Sequence, residues 1–157
     1  LGMTDEELER EVECWKAYVS RHTAQAYDGI RGIIERQKAE GGIVCVVSHS
    51  YDFNIRRDYE ANHLPMPDMI FGWEYPPEQR KPSTYALEVI SRKFGLKSEE
   101  MVMVDDAKPG YDMAKAYGVT FAGAGWAMDI PEIRDFMRKN SDVYFTKVEE
   151  LAVYLNG

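Results

Sequence analysis

The stretch EEMVMVDDAKPGYDMAKAYG, residues 99–118, contains an apolar run, two adjacent aspartates and an alanine-rich segment. The run MVMV (101–104) predicts a buried strand, and YDMAKAY predicts a helix that follows it closely. Asp105 and Asp106 therefore lie where the strand ends, although adjacent carboxylates repel each other. Such a pair is tolerated where a hard cation binds, or where it caps the positive end of a helix.

The alternation of apolar runs and helical patterns extends in both directions from this stretch. Strands are also predicted at IVCVV (43–47), DMIF (68–71), VTFAGA (119–124) and VYF (143–145). Strands that alternate with helices form a parallel sheet that is covered on both faces. The sequence therefore predicts an α/β fold, a three-layer Rossmann-like arrangement with a mostly parallel sheet, in which ligands bind at the carboxyl ends of the strands.

The N-terminal segment has the pattern of a helix over residues 4–22. Thr4 is a suitable N-cap, and Glu7 is its capping-box partner. Apolar residues recur at helical spacing on one side of this segment: Leu8, Val12, Trp15 and Val19. We therefore expect an N-terminal helix, residues 1–22, followed by an α/β core, residues 23–157.

Composition and charge restrict the class of protein. The chain has 157 residues, 45% of them hydrophobic, which is enough for a packed core. Its net charge of −8 argues against nucleic-acid binding, which needs a basic surface. No apolar run approaches the roughly 18 residues of a membrane span, and the acidic N-terminus does not resemble a secretory signal. The two cysteines, Cys14 and Cys45, fit a reducing compartment, so we expect a cytoplasmic protein.

Polar residues of complementary chemistry occur near three strand ends or helix starts. Ser48 and His49 follow IVCVV, Lys81 precedes a predicted helix, and Asp105 and Asp106 follow MVMV. A hydroxyl and a lysine can bind the oxygens of a phosphate. Two carboxylates beside that phosphate would repel it unless a hard cation such as Mg²⁺ lay between them. The set therefore predicts a magnesium and phosphate site at one edge of the sheet.

Each of these residues also has an ordinary structural interpretation. Ser48 alone can be a helix cap, and Lys81 alone can be a solvated surface lysine. Trp73 and Tyr75, in the loop before Lys81, could contact a substrate, but packing within the loop is the favoured interpretation. The ordered combination at several strand ends favours a binding site over the separate interpretations.

On these motifs the chain resembles the haloacid dehalogenase-like hydrolases, in particular their phosphoglycolate-phosphatase-like branch. VCVVSHS matches the family's strand that ends in Ser or Thr, at Ser48, and RKPSTYALEVISRKFGL matches its lysine motif, at Lys81. VMVDDAKPGYDMAKAYGV matches the acidic motif, with Gly110 and Gly118 in register. The resemblance covers about residues 27–157.

The resemblance implies a magnesium-dependent phosphatase in which an aspartate attacks the phosphoryl group and an aspartyl-phosphate forms. Ser48 and Lys81 would be the catalytic residues, binding the phosphoryl group together with His49. Asp106 would bind Mg²⁺, assisted by Asp105. The implied partner is a small phosphorylated metabolite, with no nucleic acid and no membrane.

One motif of the family does not occur in these 157 residues. Asp-x-Asp-x-Thr carries the family's nucleophile, and no such run is present. The resemblance therefore implies that an N-terminal segment of a longer protein is missing, that residues 1–22 are a remnant of the mobile cap, and that this chain alone is inactive.

The missing motif belongs to the central strand of the family's sheet, between the strands that end at Ser48 and Asp106. An open gap there would expose two strand edges. We expect the gap to be closed by direct pairing of the two strands, by a repacked helix, or by a partner chain, such as a second copy that exchanges a strand.

Two other functions remain open. A response-regulator receiver also combines an acidic pair, a hydroxyl and a lysine, but in the reverse order along the chain. A non-catalytic phosphate-binding or regulatory domain of the same family would keep the phosphate site without turnover. An Asp-x-Asp-x-Thr segment in a longer protein would favour the enzyme over this domain.

Overall fold

The protein is an alternating arrangement of helices and strands. The computed structural model describes residues 2–127 and 129–156. In chain order its elements are α1 (Asp5–Arg21), α2 (Ile30–Ala39), β1 (Cys45–Val47), α3 (Asp52–Ala61), β2 (Met69–Phe71), α4 (Tyr85–Phe94), β3 (Val102–Asp105), α5 (Lys108–Tyr117), β4 (Thr120–Ala124), α6 (Pro131–Asn140), β5 (Val143–Phe145) and α7 (Val148–Leu155). Each predicted strand is present, and the predicted α/β class is confirmed.

The strands form two parallel sheets. β1 pairs with β2, with Val46 opposite Ile70. β4 lies between β3 and β5, and Asp105 at the end of β3 is opposite Gly123. Within residues 2–127 and 129–156, no ladder joins β1 to β3. Direct pairing of these two strands, one of the expected ways to close the sheet, is therefore wrong.

Helices cover both faces of the larger sheet, as β4 demonstrates. Phe121 and Ala122 are adjacent in this strand, so their side chains point to opposite faces, and both are fully buried. Phe121 packs in a cluster with Met113 of α5 and Met137 of α6. Ala122 packs in a different cluster that includes residues of α2 and α7. The three-layer arrangement predicted from the sequence is therefore confirmed.

Side chains connect the two sheets, although no strand ladder joins them within the described residues. Val47 of β1 and Met101, just before β3, each pack against two core clusters. One of these clusters centres on Phe121 and the other on Phe71 of β2. The two sheets therefore share a continuous apolar core.

The strand edges that face the gap between β1 and β3 are less covered than the sequence predicts. The continuous apolar run 43–47 predicts a strand covered on both faces, but the strand occupies Cys45–Val47 and all three residues are only half-buried. Val104 of β3 is 37% exposed. Continuous apolar runs mark covered strands, and in the described part of the chain no strand pairs with β1 or β3 at the edge facing this gap.

α1 is capped as predicted but contributes little to the core. The Thr4 hydroxyl accepts a hydrogen bond from the Glu7 amide at 3.3 Å, and Glu7 accepts one from the Thr4 amide at 2.8 Å. No residue of α1 is buried, and Trp15 is 45% exposed. Arg57 of α3 donates to the carbonyl of Val19 at 2.6 Å and so attaches the C-terminal end of α1 to the core. None of the described helices is long and apolar enough to cross a membrane.

Two helices begin later than the sequence pattern predicts. The spacing of Ile30, Ile33 and Ile34 predicts a helix over about residues 24–40, but α2 begins at Ile30. Asn62 binds the backbone of Ala24 and Ala26 and holds that segment in an irregular conformation. α4 begins at Tyr85 instead of at Pro82, because residues 81–84 form a turn before the helix. Local hydrogen bonds in both places compete with the helical ladder.

Candidate functional site

The predicted site residues lie on loops at the carboxyl ends of strands. Ser48 and His49 directly follow β1, and Lys81 lies in the loop between β2 and α4. Asp105 is the last residue of β3, and Asp106 follows it. These positions are where parallel sheets present groups to ligands.

Lys81 and Asp105 form a buried ion pair. Lys81 Nζ lies 2.6 Å from Asp105 Oδ2, and the two side chains are only 10% and 8% exposed. The other oxygen, Oδ1, accepts a hydrogen bond from the Ala107 amide at 2.9 Å. Burying two charges is costly unless they pair and their remaining positions are hydrogen-bonded, and Asp105 meets both conditions.

Gly110 allows the first turn of α5 to approach this ion pair. A Cβ atom at position 110 would lie 2.2 Å from Asp105 Oδ2 and 2.4 Å from Asp105 Cγ. No side chain fits at such distances. The glycine that the sequence placed in register with the acidic motif is therefore required for space beside Asp105, which the pattern alone did not reveal.

Asp106 is held close to a second negative charge. Burial raises the pKa of Asp106 above its usual value, and the neighbouring Asp105 carboxylate raises it further, while Lys81 acts in the opposite direction. The carboxylate pair thus has more negative charge than Lys81 alone neutralises. A cation between the carboxylates and an anionic ligand would relieve this repulsion.

The donor set fits Mg²⁺ bound together with a ligand. Among the described residues, no group of three or more His, Cys, Asp or Glu side chains forms a ready-made metal site. Mg²⁺ is commonly held by one or two carboxylates, with substrate phosphate oxygens and water as its other ligands. Asp105 and Asp106 supply that number of carboxylates.

Ser48 is fixed by its surroundings and keeps a hydrogen to donate. Its backbone amide donates to the carbonyl of Phe71 at 2.9 Å, which extends the β1–β2 ladder by one residue. Its Oγ accepts a hydrogen bond from the Ser50 amide at 3.0 Å. Because Oγ acts as an acceptor in this contact, the hydroxyl hydrogen can still be donated to an anion.

His49 connects the Ser48 loop to the Lys81 loop. Its Nε2 lies 3.1 Å from the carbonyl oxygen of Lys81. Its ring meets the Trp73 ring edge-on, with centroids 5.7 Å apart, and the Arg80 guanidinium lies 4.0 Å from the Trp73 ring centroid. These contacts could not be predicted from the sequence, since no periodic pattern marks residues in an irregular loop.

The structure therefore links the predicted residues in one series of contacts. Ser48 is adjacent to His49, which contacts Lys81, and Lys81 contacts Asp105. Tyr75 packs against the Phe71 ring, at a centroid distance of 5.2 Å, so its predicted role in loop packing is confirmed. Trp73 also packs within the loop, against Arg80.

The comparisons with known proteins agree with this architecture. The sequence model of the family described as haloacid dehalogenase-like hydrolase matches residues 2–124. No curated protein sequence matches the chain. In solved structures, a conserved haloacid dehalogenase-like protein from Agrobacterium tumefaciens has a TM-score of 0.81 at 16% identity, covering 99% of this chain and 70% of its own.

Two further solved structures have the same fold. A protein assigned as a phosphoglycolate phosphatase from Lactobacillus delbrueckii has a TM-score of 0.77 at 20% identity, over 94% of this chain and 62% of its own. A haloacid dehalogenase-like hydrolase from Bacteroides fragilis has a TM-score of 0.67 at 22% identity, over 80% of this chain. The match spans 59% of the Bacteroides protein's length. On the family match and the shared fold, the chain belongs to the haloacid dehalogenase-like hydrolase family.

Proposed function

We propose that the chain is the phosphate- and metal-binding part of a magnesium-dependent phosphoric monoester hydrolase that acts through an aspartyl-phosphate. The observation that carries this proposal is the buried Lys81–Asp105 ion pair, which adjoins Asp106 and is connected to Ser48 through His49. A hydroxyl, an ammonium group and a carboxylate pair at one sheet edge are the groups that bind a phosphate together with a hard cation.

The phosphoryl group is bound by residues of two loops in this proposal. The Ser48 hydroxyl and the His49 backbone amide donate hydrogen bonds to phosphate oxygens. Lys81 contributes positive charge, and its contact with Asp105 fixes the position of the ammonium group. These groups stabilise the negative charge that develops during phosphoryl transfer.

Asp106, with Asp105 beside it, would hold the Mg²⁺ ion. The bound cation would neutralise charge on the phosphate oxygens and so lower the repulsion that an attacking carboxylate meets. The raised pKa of Asp106 supports this assignment, because this carboxylate is partly buried beside a second one and Lys81 compensates only part of their charge.

The attacking aspartate lies outside these 157 residues in this proposal, because the sequence contains no Asp-x-Asp-x-Thr run. A strand placed in the gap between β1 and β3 would bring such a residue beside Ser48 and Asp105. That strand would come from another segment of a longer protein. A second copy of these 157 residues could fill the gap by strand exchange, but it would bring no Asp-x-Asp-x-Thr run. The chain alone is then inactive towards phosphate esters.

The proposed substrate is a small phosphorylated metabolite in the cytoplasm. The net charge of −8 supports neither nucleic acid nor an anionic membrane surface as a partner. A small phosphate ester needs only local positive charge, which Lys81 and the proposed Mg²⁺ ion would provide together.

Binding of inorganic phosphate tests the proposed site directly. We expect calorimetry to show phosphate binding that requires Mg²⁺, and expect Asp106→Asn to weaken it at least about tenfold. Asp112→Asn is the matched control, since Asp112 pairs with Lys108 on the exposed side of α5. Phosphate binding that is independent of both Mg²⁺ and Asp106 would contradict the assignment.

A turnover assay tests the location of the nucleophile. With Mg²⁺ and para-nitrophenyl phosphate, we expect no hydrolysis by the 157-residue chain. Turnover by this chain would show that one of its own residues attacks the phosphate.

A non-catalytic phosphate-binding domain is the second candidate, and the absence of an Asp-x-Asp-x-Thr run favours it. Both candidates predict phosphate binding without turnover by this chain. They differ in a longer protein that supplies an Asp-x-Asp-x-Thr segment, where only the enzyme hydrolyses phosphate esters.

A further inference from the structure

Lys81 occupies a fixed position although the loop that carries it has little regular structure. Between β2 and α4 the loop contains one short 3₁₀ turn, Pro77–Gln79. A long lysine side chain on such a loop would ordinarily sample many rotamers, and ordering it costs conformational entropy. Lys81 nevertheless places its Nζ on Asp105 with 10% of its side chain exposed. Other contacts must therefore hold the Lys81 backbone.

The first of these contacts is the hydrogen bond between His49 and the Lys81 backbone. A carbonyl oxygen only accepts hydrogen bonds, so His49 Nε2, which lies 3.1 Å away, is the donor. The bond joins the residue after Ser48 to the residue that carries the ammonium group. It thereby fixes the distance between the two loops that the proposed phosphate site combines.

The second set of contacts centres on Trp73 and restrains both ends of the loop. The Trp73 amide donates to the carbonyl of Ser50 at 2.8 Å, which anchors the ring beside His49. The ring meets His49 on its edge and stacks against the Arg80 guanidinium at 4.0 Å. Arg80 also donates from Nε to the carbonyl of Tyr75 at 2.5 Å, which closes the loop upon itself.

We propose that His49, Trp73 and Arg80 form a clamp that positions Lys81, with His49 as the positioning residue that acts directly on its backbone. The clamp places the Lys81 ammonium group on Asp105 before any ligand binds. The role of this clamp in phosphate binding rests on the phosphatase proposal, whereas the positioning of Lys81 can be measured without any ligand.

Chemical acetylation of Lys81 measures this positioning. A lysine held in a buried ion pair reacts slowly with acetic anhydride, and the rate at each lysine can be followed by mass spectrometry. We expect His49→Ala to accelerate acetylation of Lys81 by about two- to tenfold, the range expected for the loss of one hydrogen bond. The rates at Lys38 and Lys115, which pair with Asp68 and Asp142, serve as references within the same molecule.

Two amide variants separate the hydrogen bond from general packing. Glutamine can place its NH₂ group near the position of His49 Nε2, whereas asparagine reaches only as far as Nδ1. We expect His49→Gln to restore slow acetylation of Lys81 and His49→Asn to resemble His49→Ala. Equal rates in all three variants and the wild type would overturn the proposal, as would rates for Gln and Asn that do not differ.

A variant at Trp73 tests the aromatic part of the clamp. Trp73→Ala removes both the edge contact to His49 and the stacking surface of Arg80, and we expect it to accelerate Lys81 acetylation as well. The thermal midpoint and the rates at Lys38 and Lys115 reveal whether the variant is globally destabilised. Acceleration at all three lysines together would mean that the clamp has no specific effect on Lys81.

Binding of inorganic phosphate with Mg²⁺ distinguishes this proposal from the proposed function. If the chain binds phosphate, we expect His49→Ala to weaken binding and His49→Gln to retain most of it. If the wild type binds no phosphate, the proposed function fails, while the acetylation rates still decide whether His49 positions Lys81.

Discussion

Lys81 Nζ and Asp105 Oδ2 lie 2.6 Å apart across the boundary between the two sheets. Lys81 belongs to the loop that follows β2, and Asp105 ends β3. The ion pair therefore joins two sheets between which the described part of the chain forms no strand ladder. Both side chains are at most 10% exposed. The pair therefore links the two parts of the fold at the place where the proposed phosphate site lies.

Removing the lysine should destabilise the fold strongly. Lys81→Met leaves the Asp105 carboxylate buried without its partner, and we expect the free energy of unfolding to fall by about 3–5 kcal/mol. Urea denaturation measures this change. Adding Asp105→Asn to Lys81→Met removes the unpaired charge and should recover most of the loss. Lys38→Met is the control, because the Lys38–Asp68 pair is more exposed and should contribute about 1 kcal/mol or less.

A methyl group at position 110 should disturb the same ion pair. Gly110→Ala places Cβ 2.2 Å from Asp105 Oδ2, so α5 or Asp105 must shift, and we expect a loss of about 1–3 kcal/mol in unfolding free energy. Gly32→Ala in α2 is the matched substitution, since its Cβ would meet nothing within 4 Å. We expect Gly32→Ala to stabilise the protein by about 0.5–1 kcal/mol. Equal effects of the two substitutions would contradict the close approach at Gly110.

Acid should weaken the contact between α5 and the loop before β5. The Lys115 ammonium group and the Phe121 amide hold the pKa of Asp142 below its usual value of 3.8. A lowered carboxyl pKa stabilises the fold above the unfolded-state value, and this stabilisation is lost as the pH falls through the folded-state value.

We therefore expect Asp142→Asn to lower the unfolding free energy at pH 7 by up to about 1 kcal/mol, since the pair is partly exposed and screened. The difference from the wild type should shrink below pH about 3.8 in thermal melts. Asp129→Asn, at a carboxylate that is 94% exposed, should change stability little at any pH. A difference as large at pH 2 as at pH 7 would exclude the ionised carboxylate as its cause.

The two thiols should differ in reactivity. Burial raises the pKa of the Cys45 thiol to about 11, with a further contribution from the Asp68 carboxylate. At pH 8 only about one thousandth of Cys45 is then thiolate, the reactive form. Cys14 is exposed on α1. We expect one equivalent of thiol to react quickly with Ellman's reagent in the native protein and the second only after denaturation. Rapid reaction of both native thiols would contradict the partial burial and the raised pKa of the Cys45 thiol.

Much of the fold could be predicted because its signals are local. Apolar runs identified all five strands, and VYF coincides with β5 at Val143–Phe145. The capping box of Thr4 and Glu7 was readable from spacing alone. Helix starts were less accurate where a side chain from a distant element, such as Asn62, binds the backbone.

For the candidate site, the residues could be predicted from the sequence but the contacts between them could not. Ser48, Lys81 and the aspartate pair could be identified because each lies next to a recognisable strand or helix. The ion pair between Lys81 and Asp105 spans 24 positions along the chain, and the His49–Lys81 contact spans 32. Such contacts depend on how loops pack in three dimensions, and neither hydrophobic periodicity nor residue type specifies that packing.

Because the strands form two separate ladders, we expect the two sheets to unfold locally with different free energies under native conditions. β4 is paired on both sides, and its Phe121 and Ala122 are fully buried, so its amides should exchange hydrogen for deuterium only in global unfolding. β1 and β2 form a two-stranded unit, which is marginal by itself. The amides of β1 and β2 should therefore exchange through partial unfolding of this sheet alone. A strand that occupied the gap beside β1 would join the two sheets, so that they unfold as one cooperative unit.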